Sequence, residues 1–79
     1  MNRKQTIASR ITADGIWSEE NGTFGTARDF WATLLAPWRS AEDPRGHLSV
    51  IHCATRREVE RAILAAIRCE CPVCKVASL

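Results

Sequence analysis

Between Thr55 and Arg68, apolar side chains return at a helical interval. Val59, Ala62, Ile63, Ala66 and Ile67 fall at i, i+3, i+4, i+7 and i+8, the single stripe of an amphipathic helix. Thr55 with Glu58 three positions on makes a capping box, each side chain able to satisfy an orphan backbone amide. Pro72 prevents the helix from continuing. This is the clearest element of the chain.

Elsewhere the pattern is shorter. Phe30, Trp31, Leu34 and Leu35 give one apolar face to a helix predicted from Thr26 to Ala36. Thr26 and Asp29 open it, and Pro37 closes it by disfavouring helical backbone at Ala36. Ser40 to Gly46 is a polar loop with both proline and glycine. His47 to Cys53 reads as a strand, with Leu48, Val50 and Ile51 supplying apolar and β-branched character. The first quarter of the chain fits two patterns. Asp14 with Gly15, and Asn21 with Gly22, are hairpin-turn pairs that would join 7–13, 16–18 and 23–24 into a short meander. The four-residue spacing of Ile7 and Ile11 fits a turn or two of helix over Lys4 to Ile11 equally well. The expected architecture is a single compact α+β domain over 1–79. It comprises a short N-terminal β-hairpin or meander, a helix, a strand, and a C-terminal helix followed by a cysteine-rich tail. Residues 1–5 and 76–79 are expected to fray.

Size sharpens the question of what holds such a domain together. A chain of 79 residues buries only about 60% of its unfolded surface, so small domains commonly add a metal, a disulfide or a partner. Three of the four cysteines, Cys69, Cys71 and Cys74, sit in the tail. Thiols that dense hold a metal or close a small disulfide loop. The longest apolar run, Ala62 to Ile67, is too short to cross a bilayer. Arg3, Lys4 and Arg10 are not followed by the apolar stretch of a secretory signal. The expected location is therefore the cytoplasm, a host's cytoplasm if the protein is phage-encoded. A reducing compartment favours metal over disulfide. By the same reasoning Asn21 to Thr23, a glycosylation pattern, reads as a turn.

Geometry narrows the ligand set. Cys53 lies just before the cap of the C-terminal helix and Cys69 just past its far end. Fourteen helical residues rise about 21 Å, against zinc–sulfur bonds of about 2.3 Å, so an all-cysteine site would strand Cys53. If the strand folds back along the helix, its first residue returns to the helix end, because six strand steps cover about 20 Å. His47, Cys69, Cys71 and Cys74 are thus the predicted ligands of a tetrahedral Zn2+ site. A tail disulfide such as Cys69–Cys74, free thiols, or an iron–sulfur cluster on the same ligands are the alternatives. Cys53 reads as a small buried hydrophobe. A thiol near a helix N-terminus can be acidified, but the adjacent His52 points to the opposite strand face.

Charge and aromatic content bear on partners. Net charge is +2, with both signs mixed along the chain, short of the strong basic excess usual in nucleic-acid binders. Arg57, Arg61 and Arg68 line up opposite the apolar stripe as a basic ridge. Of the three tryptophans, Trp31 is assigned to the core beside Phe30. Trp17 flanks a turn and Trp38 follows a helix break, positions where complete burial is harder, so each reads as a lid on the core or as a binding anchor. No phosphate loop, spaced carboxylate pair or Ser/His/Asp arrangement is present, so a non-enzymatic protein is expected. The leading expectation is a protein–protein interaction module that blocks a larger host protein or complex. That profile of size and composition is shared by small phage- or mobile-element inhibitors, anti-CRISPR proteins among them. Its expected binding surface is Trp38, Asp43 and Arg45 with Arg57, Arg61 and Arg68. The alternative is a zinc-stabilised nucleic-acid-binding regulator using the arginine ridge, and a third reading is a redox-responsive cysteine switch. A homodimer is compatible with each; a membrane partner is not expected.

Overall fold

The computed structural model describes residues 2–20, 28–42, 47 and 49–77. The chain opens with helix α1 (Arg3–Arg10), which settles residues 3–10 as helix rather than a strand of a meander. Its signal is a capping box written in amides. The Gln5 N–H donates to Asn2 Oδ1 at 2.9 Å, and the Asn2 N–H donates to Gln5 Oε1 at 3.0 Å. The turn after it uses Gly15, whose φ of 68° is left-handed and whose N–H reaches the Thr12 carbonyl at 3.0 Å. Strand β1 (Trp17–Glu19) follows. The expected strand at 23–24 and the Asn21 turn lie outside the described residues.

Of the helix expected from Thr26 to Ala36, residues 26–27 lie outside the described residues, and the rest holds a strand, β2 (Asp29–Thr33), instead. Ala32 and Leu34 are buried and Phe30 packs against the core, while Trp31 turns to the opposite face. That is period two, not 3.6. Phe30, Trp31, Leu34 and Leu35 satisfy both periods over so short a run, and pairing with two neighbours decided between them. Trp31 consequently does not share a face with Phe30, and Asp29 is a buried strand residue rather than a helix start.

Strand β3 (Trp38–Arg39) comes after a cis Ala36–Pro37 bond, and β4 (Val50–Cys53) occupies the end of the expected strand. Helix α2 (Arg56–Ala65) starts where expected: Thr55 Oγ1 accepts the Glu58 N–H at 3.2 Å. The reciprocal half of the box is not made, since the Thr55 hydroxyl bonds the Glu58 carboxylate. The helix also stops short of Arg68. Ala66 leaves helical backbone at ψ 143°, and β5 (Ile67–Arg68) pairs with β3. Ile67 therefore falls off the apolar stripe and is 38% exposed. Pro72, read as a barrier, opens the short helix α3 (Pro72–Ala77). Proline suits a first helical position, where its missing N–H is not needed.

The fold is α+β, as expected. An antiparallel sheet in the order β1-β2-β4 packs one face against α2, and a separate β3-β5 ribbon is paired antiparallel. Val59 and Ile63 of α2 are fully buried among Ile11, Ala32, Leu34, Ile51 and Ala66. Among the described residues, no helix is long and apolar enough to cross a membrane.

Candidate metal centre

Three elements deliver the donors. The β3-β5 ribbon, registered as Trp38 with Arg68 and Arg39 with Ile67, continues one step through a bond from the Cys69 N–H to the Pro37 carbonyl at 2.8 Å. That step buries Cys69. The chain then turns into α3, where the Cys74 N–H donates to the Cys71 sulfur at 3.5 Å. Cys71 thus serves the helix start in the way a capping oxygen does, and the first turn places Cys71 beside Cys74. His47 stands ahead of β4 with φ 51°, a left-handed conformation in which histidine is enriched.

The sequence-derived set meets. The nearest nitrogen of His47 and the sulfurs of Cys69, Cys71 and Cys74 lie within 4.8 Å of one another. His47 Nε2 is 3.6 Å from Cys69 Sγ, and Nδ1 is 3.5 Å from Cys74 Sγ. Ideal tetrahedral zinc, with bonds of about 2.1–2.3 Å, separates its donors by about 3.4–3.8 Å. Only one ring nitrogen can ligate, so those two distances show the imidazole lying between the thiols and are not two donor separations; the set is compatible with a zinc site in number and softness. All four thiols are unbridged. Cys53, as geometry required, is not part of the cluster.

Without metal, hydrogen bonds order the titration of the thiols. The Cys74 amide, and next the Cys69 side chain, hold the Cys71 thiol below its usual range. The hydrogen-bonded Cys71 sulfur, then burial, push Cys74 up to about 11. Away from the cluster, burial first, then Glu58 and Glu42, raise Cys53.

The expected partner-binding residues divide. Trp38 is partly buried and packs on the core. The Arg10 guanidinium lies 3.9 Å from its ring centroid and that of Arg68 lies at 5.6 Å. Arg57 and Arg61 are exposed on α2, whereas Arg68 is exposed on β5. Arg68 therefore does not extend a helical ridge; it belongs with Trp38. Asp43 and Arg45 lie outside the described residues. Trp17 is partly buried in β1, opposite Trp31.

Two arrangements escaped sequence reasoning. His52 Nε2 is 2.8 Å from the Asp29 carboxylate, which is 1% exposed, and its ring stacks on Trp31 at 3.7 Å and 7°. This polar–aromatic cluster is a product of strand register, Trp31 opposite His52, and no local spacing announces it. Arg10 is the other, bonding the carbonyls of Ile63 and Leu64. Compared with protein-family models, curated proteins and solved structures, the chain matches none.

Proposed function

We propose that this protein is a zinc-clipped, non-enzymatic interaction module that works by covering a surface of a larger protein. The observation that carries the reading is the convergence of one imidazole and three thiols within 4.8 Å. Four protein donors fill a tetrahedron and leave no position for substrate, which is the pattern of a structural rather than a catalytic zinc. The metal would tie α3 and the ribbon to the segment before β4, completing a domain too small to rely on burial alone.

The charge arrangement supports the partner class. Glu60 is engaged by Arg3 at 3.6 Å and Arg56 at 3.4 Å. Among the described residues this leaves Arg57 and Arg61 exposed with no carboxylate. With Arg68 beside the Trp38 ring, these cations suit an acidic protein surface, where charge complementarity steers docking and aromatic anchors supply affinity. The steric blockers encoded by phages and mobile elements, anti-CRISPR proteins included, share this size and composition.

The test is capture from the native cell with the wild-type chain and with the double reversal Arg57→Glu/Arg61→Glu. Both sites are exposed, so the variant is expected to fold. A specific acidic protein retained by the wild type and lost by the variant supports the reading; equal retention removes the arginines from the interface. The same residues serve the alternative, a nucleic-acid-binding regulator. Phosphate binding would appear as a gel shift that weakens by orders of magnitude between about 50 and 200 mM salt.

A further inference from the structure

We infer that the groove between α1 and α2 binds a small anionic amphiphile, a free acyl carboxylate whose chain lies on isoleucines and whose head group meets a basic rim. The inference is independent of the metal centre. α1 runs alongside α2 in the same sense. Arg3 at its start reaches Glu60 at 3.6 Å, and Arg10 at its end bonds the Ile63 and Leu64 carbonyls in the last turn of α2. Between the helices opens a cavity of about 450 Å3, its apolar side formed by Ile7, Ala8, Ile11 and Ile16. Small-ligand sites run about 300–1,000 Å3 and are mostly apolar with a few polar groups. Ile11 is buried, but Ile7 and Ile16 are only partly covered, and α1 has no fully buried residue. A helix of eight residues is marginal in water on its own and gains from whatever covers this side.

Charge selects the head group. Arg3, Lys4 and Arg56 line the same cavity with a single carboxylate, Glu60, so three cations and one anion leave a net +2. Glu60 is already held, by Arg3 and by Arg56 at 3.4 Å. Lys4 pairs with no carboxylate among the described residues. These cations do not serve the helix. Arg3 and Lys4 stand in the first turn of α1, which carries no acidic residue, and positive charge there opposes the helix dipole. A carboxylate in the groove offsets that cost. The apolar surface also argues for a single chain over a bilayer. The exposed large apolar residues, Leu35, Val50, Ile67, Val73 and Val76, all lie outside this cavity, so no apolar rim surrounds it to enter a membrane.

The probe is sodium dodecanoate below its micellar concentration, titrated into the full chain and followed by amide chemical shifts and thermal melting. Wild type, Lys4→Glu and Ala8→Trp are compared; both positions are exposed, so the variants are expected to fold. Saturable binding is expected in the wild type, with shifts concentrated at Ile7, Ala8, Ile11 and Ile16 and a raised melting temperature. Lys4→Glu should weaken it about tenfold, since the reversal removes an attraction and adds a repulsion. Ala8→Trp should abolish it by filling the groove. Dodecyltrimethylammonium, the same chain with a cationic head, should bind at least about tenfold more weakly than dodecanoate. Should Ala8→Trp not fold, Lys4→Glu and the cationic probe decide. No saturable dodecanoate binding, or equal affinity for the two head groups, overturns the inference. Cosedimentation with phosphatidylglycerol vesicles that survives Ala8→Trp, without dodecanoate binding, assigns the basic surface to a membrane and overturns it too. Binding of an acidic glutamate–leucine peptide at these residues, without dodecanoate binding, gives the groove to a protein partner and has the same consequence.

Discussion

Arg10 ties three elements with one side chain. Its Nη1 donates to the carbonyls of Ile63 at 3.1 Å and Leu64 at 3.0 Å, oxygens in the last turn of α2, where Ile63 also accepts the Ala66 N–H at 3.2 Å. Its charge faces the negative end of that helix, and its plane covers Trp38. Arg10→Ala is expected to destabilise the domain by about 2–3 kcal/mol in urea unfolding, and Arg10→Lys should recover only part of the loss. The Asp29–His52 pair makes a second residue-scale case. With Asp29 1% exposed, substituting either residue removes a part-buried hydrogen bond of 2.8 Å. Asp29→Ala and His52→Ala should therefore be non-additive, with a coupling of about 1 kcal/mol or more in a double-mutant cycle. Thiol reactivity separates the cysteines. In the metal-free protein at about pH 8, Cys71, held low, should alkylate first. Cys53 and Cys74, both raised, carry less thiolate and should follow, as peptide mass mapping would show.

At the scale of elements, α2 was the most legible because its signal is local and repeated. Thr55 caps it and the stripe through Val59 and Ile63 is fully buried. Thr55→Ala should cost about 1 kcal/mol, and Ile63→Ala about 3 kcal/mol through transfer and cavity terms, both measurable by thermal or urea unfolding. Its end was misread because Ile67 and Arg68 fit the helical stripe and the β-ribbon alike. Pairing with Trp38 and Arg39 took them. The same competition turned part of the expected helix at Thr26–Ala36 into β2, since so short a segment gains more from two strand partners than from an isolated turn of helix. α1 was legible only as an alternative, because its cap uses Asn2 and Gln5 instead of a hydroxyl and a carboxylate.

For the molecule as a whole, the proposed zinc would be the part most easily removed. Zinc at a hundred times its dissociation constant would stabilise the fold by about 2.7 kcal/mol. A strong chelator is therefore expected to lower the melting temperature by on the order of 10 °C or more in a domain this small. Binding should release protons and tighten as pH rises. Cys74, pushed up to about 11 without metal, is protonated at neutral pH and must give up that proton to ligate. Zinc titrations at pH 6 and 8 that give equal affinity would contradict thiolate ligation.

The sequence by itself named the four donor residues that come together, His47, Cys69, Cys71 and Cys74, but not the path that joins them. A helix and a strand of matched length, meeting near Thr55, would return the strand's start to the helix's end; in the fold α2 stops at Ala65 and β4 starts only at Val50. The β3-β5 ribbon and the turn into α3 carry the cysteines the rest of the way to His47. Tertiary structure alone decided which short segments became strands. It set Trp31 against His52, brought Arg10 and Arg68 to Trp38, and put Arg39 on the wall of a cavity that His47 and Cys74 also line. Those outcomes depend on register between segments distant in the chain, which the hydrophobic patterns of both strands and the geometry of their connections fix together, so that neither segment alone announces it.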